Sequence, residues 1–93
     1  MPTIQLPDHI KSALLSQGFE RKVVLPVKML SSIDAVLNTA LPKSVVGIMA
    51  VINPETNYCE RLKDIVLRIR PNAYAMCLFN DMHPSNIVSI YYK

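Results

Sequence analysis

Three side chains able to do chemistry fall close together near the carboxyl end: a thiol at Cys77, a carboxylate at Asp81 and an imidazole at His83. A cysteine and a histidine in contact make a nucleophile and its base, and the same donors can hold a metal ion. The spacing argues against both. Zinc wants three or four ligands in short paired spacings, which this stretch lacks, and His9 could join only through the fold. A catalytic thiol must be exposed and activated, whereas Cys77 stands mid-strand between Met76 and Leu78. Asp81 and His83, just before Pro84, are also ordinary turn residues. Glycine is confined to Gly18 and Gly47, which leaves no phosphate-cradling loop. The expectation is a protein that is not an enzyme and has no metal or cofactor.

A second chemistry is phosphate binding. Arg61, Lys63, Arg68 and Arg70 form the densest basic cluster in a chain with ten Lys and Arg against seven Asp and Glu, net +3. On a continuous helix Arg61 aligns with Arg68 and Lys63 with Arg70, the two pairs standing about 160° apart. Glu60 and Asp64 alternate with them as on a solvated face. Nucleic-acid binding through these four residues is therefore the alternative reading, because it needs a concentrated footprint.

A third chemistry is apolar contact. Hydrophobic residues make up 51% of the 93 residues and the mean hydropathy is +0.24, more than one small interior can shelter. The excess belongs on a surface that meets a partner. Tyr91 and Tyr92 fall on opposite faces of a terminal strand, so one should point outward. Tyr74 is placed near them across a hairpin. Pro26 cannot donate to a ladder and marks an edge strand or a bulge. Pro26, Tyr74, Tyr91 and Tyr92 are the interface candidates. The partner expected is a second copy, as a homodimer, or another protein. No run approaches the ~18 apolar residues of a membrane span.

The elements that must carry these residues can be read in order. Pro7 and Asp8 open a short helix whose Ile10, Ala13 and Leu14 share a face, and Gly18 stops it. Glu20 to Leu30 reads as a strand interrupted at Pro26. Ser31 and Asp34 have the spacing of a helix start, and Ile33, Val36, Leu37, Ala40 and Leu41 supply an apolar face up to Pro42. Val45 to Ile52 is an unbroken apolar run, a strand covered on both faces. Asn53-Pro54-Glu55 reads as a helix start, with helix to about Leu67 and an ambiguous tail over residues 65–70. Ala73 to Phe79 and Ile87 to Tyr92 are two strands, expected to form an antiparallel hairpin around the loop 80–86.

These elements make one domain, 1–93, with an N-terminal helical segment 1–19, a strand-helix-strand unit 20–53, a helix 54–70 and a hairpin 71–93. The fold class is α/β, with α+β as the alternative: one mixed four-stranded sheet, elements ordered α-β-α-β-α-β-β. Over about residues 20–92 that order resembles the thioredoxin core, and Pro71 sits where that fold often keeps a proline. The dithiol Cys-x-x-Cys is absent, since the first strand runs into Lys28-Met-Leu-Ser-Ser32, so redox chemistry of that type does not follow.

Two cysteines, Cys59 and Cys77, are too few to staple a secreted mini-domain, and reduced, buried thiols in an intracellular, cytoplasmic protein are expected. Scarce glycine with five Met and seven Pro is compatible with a small viral or plasmid-borne accessory protein. Taken together, the residues point to a small protein-interaction module that associates with itself through apolar and aromatic side chains.

Overall fold

In the computed structural model, which describes residues 7–93, the elements run α1 (Asp8–Ser16), β1 (Arg21–Pro26), a 3-10 segment (Val27–Ser32), α2 (Ile33–Ala40), β2 (Gly47–Ile52), α3 (Cys59–Ile69), β3 (Tyr74–Phe79) and β4 (Ile87–Tyr92). They form the expected small α/β domain with one mixed four-stranded sheet. β2 is buried along its length except at the half-buried Met49, as its apolar run requires.

The strand order is β1-β4-β2-β3, with β4 antiparallel to both neighbours and β2 parallel to β3. The expected hairpin between the last two strands is therefore absent: β2 lies between β3 and β4. The loop 80–86 crosses the end of β2 instead of turning back. Seven residues easily span two inter-strand spacings of ~4.8 Å. Burial explains the choice. Val88, Ser89 and Ile90 are closed off on both faces and suit an interior strand, whereas no residue of β3 is fully buried, which suits an edge. The thioredoxin-like order is thus an order of elements only, because its carboxyl-terminal hairpin is missing.

Both crossovers, β1-α2-β2 and β2-α3-β3, move the same way across the sheet. Crossovers of one hand then place their helices on one face. Indeed α2 and α3 touch, and Leu37, Leu62 and Val66 pack on Ile48, Ala50, Ile52, Val88 and Ile90. Among the described residues the other face is covered by α1, through Leu14 and the returning Phe19 against Val51. Gly18, at φ 89°, makes that return possible, and the Phe19 amide donates to the Leu14 carbonyl at 2.9 Å.

Several boundaries differ from expectation. Pro26 ends β1, and the chain continues as a 3-10 segment to the start of α2, not as strand to Leu30. Asn53-Pro54-Glu55 begins no helix. The Asn53 Oδ1 accepts the Glu55 amide at 2.9 Å in a local turn, and α3 starts at Cys59 and runs to Ile69. The Asn53 Nδ2 donates to the carbonyls of His83, at 2.7 Å, and Asp81, which pins the crossing loop over the end of β2.

Candidate interaction surface

The three groups near the carboxyl end do not converge on a reacting centre. Cys77, on the middle of β3, is joined by a disulfide to Cys59 at the start of α3, across a Cα–Cα separation of 6.1 Å. This corrects the expectation of reduced thiols, and with it goes the cysteine argument for an intracellular setting. The pairing follows from packing: α3 lies over β3, and Ala75 and Cys77 face it. His83 is 3% exposed, with Nε2 3.4 Å from the Ser89 Oγ and no partner for Nδ1. Burial pushes its pKa below the usual histidine range, so the neutral ring is favoured. Asp81 is exposed and uses its carbonyl, not its carboxylate, to hold the loop. Among the described residues no three His, Cys, Asp or Glu side chains gather in a metal-holding group.

The four basic residues are not brought together either. Arg70 is 8% exposed, and its guanidinium is fully engaged. Nε donates to Pro42 O; Nη1 to Asn38 Oδ1 and Ile69 O; Nη2 to Asn38 O and, at 2.6 Å, to Leu41 O. Four of the five donors are spent on the carboxyl end of α2 and the two residues after it, where a cation also complements the helix dipole, and the fifth on the last carbonyl of α3. Arg70 therefore offers nothing to a phosphate and is withdrawn as a nucleic-acid candidate. Lys63 lies 3.6 Å from Glu60, while Arg61 and Arg68 stay exposed on α3.

The aromatic candidates divide differently. Tyr91 lies half-buried on the α1 face with Lys22 over its ring at 5.8 Å, and Tyr92 packs half-buried against the α2–α3 core. Neither is the outward-pointing residue expected of the pair. Burial raises the Tyr91 pKa. Tyr74 is 42% exposed, but β2 separates it from Tyr91 and Tyr92, so it is no hairpin neighbour of theirs. Its ring covers Gly47, where a Cβ would stand 2.5 Å from Tyr74 Cζ. Glycine at 47 thus makes room for the ring. Beside it the Lys93 ammonium sits 5.7 Å from the Tyr74 ring and 4.8 Å from that of Phe19, and donates to Gln17 O. Pro26 lines a shallow groove with Val27, Lys28, Ser85, Asn86 and Ile87.

What gathers is an apolar strip along β3. Tyr74 is joined on the α1 side of the sheet by Met76 at 40% exposure, while Phe79 at 56% stands on the opposite, α3 side with Ala75 and Cys77, and Met82 at 84% follows just beyond the strand. Sequence reasoning named only Tyr74. The signal for the others was available, since Tyr74–Phe79 contains no charge, no proline and no glycine. Comparison with protein-family models, with curated proteins and with solved structures finds no significant match. The surface speaks only through its own residues. No helix among those described is long and apolar enough to cross a membrane.

Proposed function

We propose that this chain is a small, non-enzymatic protein-interaction module that self-associates, using the β3 side of its sheet. The observation that carries this reading is the uncharged edge strand with Tyr74, Met76 and Phe79 left partly in water. An unprotected apolar edge is a template for another chain, and exposed aromatic side chains supply much of the energy of such contacts. Four of the nine large exposed hydrophobics among the described residues, Tyr74, Met76, Phe79 and Met82, lie on or just after β3, whereas Leu15, Val24, Met29, Val46 and Leu67 are scattered over other elements and the lead-in to β2. Sedimentation velocity over a concentration series tests the reading. A dimer mass at micromolar concentration supports it, and a monomer throughout the range removes it.

A further inference from the structure

We propose that β3 pairs antiparallel with β3 of a second copy of this chain, Cys77 opposite Cys77, so that two four-stranded sheets become one continuous sheet. The pairing presupposes the self-association proposed above and specifies its geometry.

The backbone supplies the first argument. The Tyr74 amide donates to Val46 O and the Asn80 amide to Ile52 O, so residues 74, 76, 78 and 80 direct their peptide groups at β2. Ala75, Cys77 and Phe79 alternate with them and point theirs away, where no described strand lies. An antiparallel neighbour satisfies such groups in closely spaced pairs, each exchanging two hydrogen bonds. With Cys77 opposite Cys77, Ala75 meets Phe79 and Phe79 meets Ala75, and every outward group finds a partner. Sliding so that Met76 faces Met76 would match Phe79 with Ala73, whose amide already donates to Arg70 O. The chosen register avoids that loss.

Side chains and charge agree with it. Opposed residues share a face, so the exposed Phe79 of one copy lies beside the small Ala75 of the other, and Met76 beside Leu78. The strand has no charge to repel its twin. Its surroundings are unlike at the two ends: Lys93 stands by Tyr74, and Lys43 shares a groove with Asn72 and Ala73, whereas the exposed Asp81 follows the far end. Antiparallel pairing sets each Asp81 opposite the other copy's Ala73, carboxylate toward cations. Parallel pairing would put like ends together.

The experiment combines sedimentation with residue-resolved amide hydrogen exchange on the same samples of the unmodified chain. The expected result is a dimer in which the Ala75, Cys77 and Phe79 amides exchange roughly a hundredfold more slowly than in dilute samples, while Lys22 and Val24 on the opposite edge do not change. Phe79→Pro, which deletes an outward donor, and Met76→Lys, which charges the strip, each shift the protein to monomer. Either variant suffices if the other does not fold. A dimer whose three edge amides exchange at the dilute rate overturns the strand pairing and leaves self-association standing. A monomer at every concentration overturns both. Slow edge exchange in a monomer means the edge is covered within one chain, and the pairing fails.

Discussion

The two edges of this sheet are built on opposite principles. On β1 the Val27 amide donates to Asn86 O at 2.9 Å, so the odd-numbered residues face β4 and Lys22, Val24 and Pro26 direct their backbone outward. Pro26 has no amide hydrogen to offer there, and Arg21 and Lys22 add exposed charge. Each device discourages another strand. β3 has neither: its outward residues are Ala75, Cys77 and Phe79, and its six residues carry no charge. Within one sheet, then, one rim repels a strand and the other is suited to receive one. A sheet face hidden by helices says little about partners; the unpaired backbone at its rim says more.

The comparison can be broken most severely by moving the guards. Met76→Lys with Phe79→Pro gives β3 the devices of β1. In a twofold pair each substitution acts twice, at ~1 kcal/mol per lost interaction, so association should weaken by about 4 kcal/mol, roughly a thousandfold. Equilibrium sedimentation measures this, and an unchanged association constant would count against the edge as the contact. Next in size is the tether. Cys59→Ser with Cys77→Ser opens a loop of 18 residues and should lower stability by about 3 kcal/mol in chemical unfolding. Exchange should quicken first at Met76 and Leu78 on β3 and least at Val23 and Leu25 on β1. Loss of protection spread evenly over both edges would contradict a tether local to β3.

Arg70→Met probes the helix layer away from the strand edges, because it strips the end of α2 of its donors. A loss of about 2 kcal/mol in unfolding free energy is expected, with association retained in the folded fraction. His83 gives a pH dependence of known sign. Burial lowers its folded pKa below the ordinary 6.5, so below that pH the unfolded chain takes up a proton before the folded one does. Stability should be level above pH 6.5, fall as the pH drops below it, and level off once the folded ring also protonates. Replacing His83 with Gln should flatten that segment of the curve; an unchanged slope would assign it to other groups. The smallest effect is expected from Pro26→Val, which restores one outward donor to β1. Stability should change by less than ~1 kcal/mol, and any new association should be far weaker than that through β3 while Arg21 and Lys22 remain.

The legible parts of the fold were those decided locally. The apolar run Val45 to Ile52 gave the buried strand β2, though only from Gly47 and with Val46 left exposed, Gly18 stops the chain after α1, and β4 begins at Ile87 and ends at Tyr92 as read from the turn-rich loop before it. What failed was decided at a distance. A seven-residue loop can turn back or cross a strand, and nothing in residues 80–86 says which until the burial of Val88 to Ile90 is weighed against that of β3. Asn53 has the right chemistry for a helix cap, but its side-chain oxygen accepts the Glu55 amide in an isolated turn while its Nδ2 is tied to the carbonyls of residues 81 and 83. Arg70 looked like surface charge because side-chain type does not reveal which carbonyls the fold leaves unpaired. At the site, Tyr74 was visible as an aromatic on a strand, whereas Met76 and Phe79 emerged only once β3 was known to be an outer strand.

The proline at the outer rim of β1 also bears on how large an assembly can become. A twofold union, as proposed, would use up the receptive border that the described residues of each copy offer and leave Pro26 and its basic neighbours at both far margins. Such a union closes on itself: growth halts at two, and the same unguarded border that could otherwise seed a fibre is removed from solution.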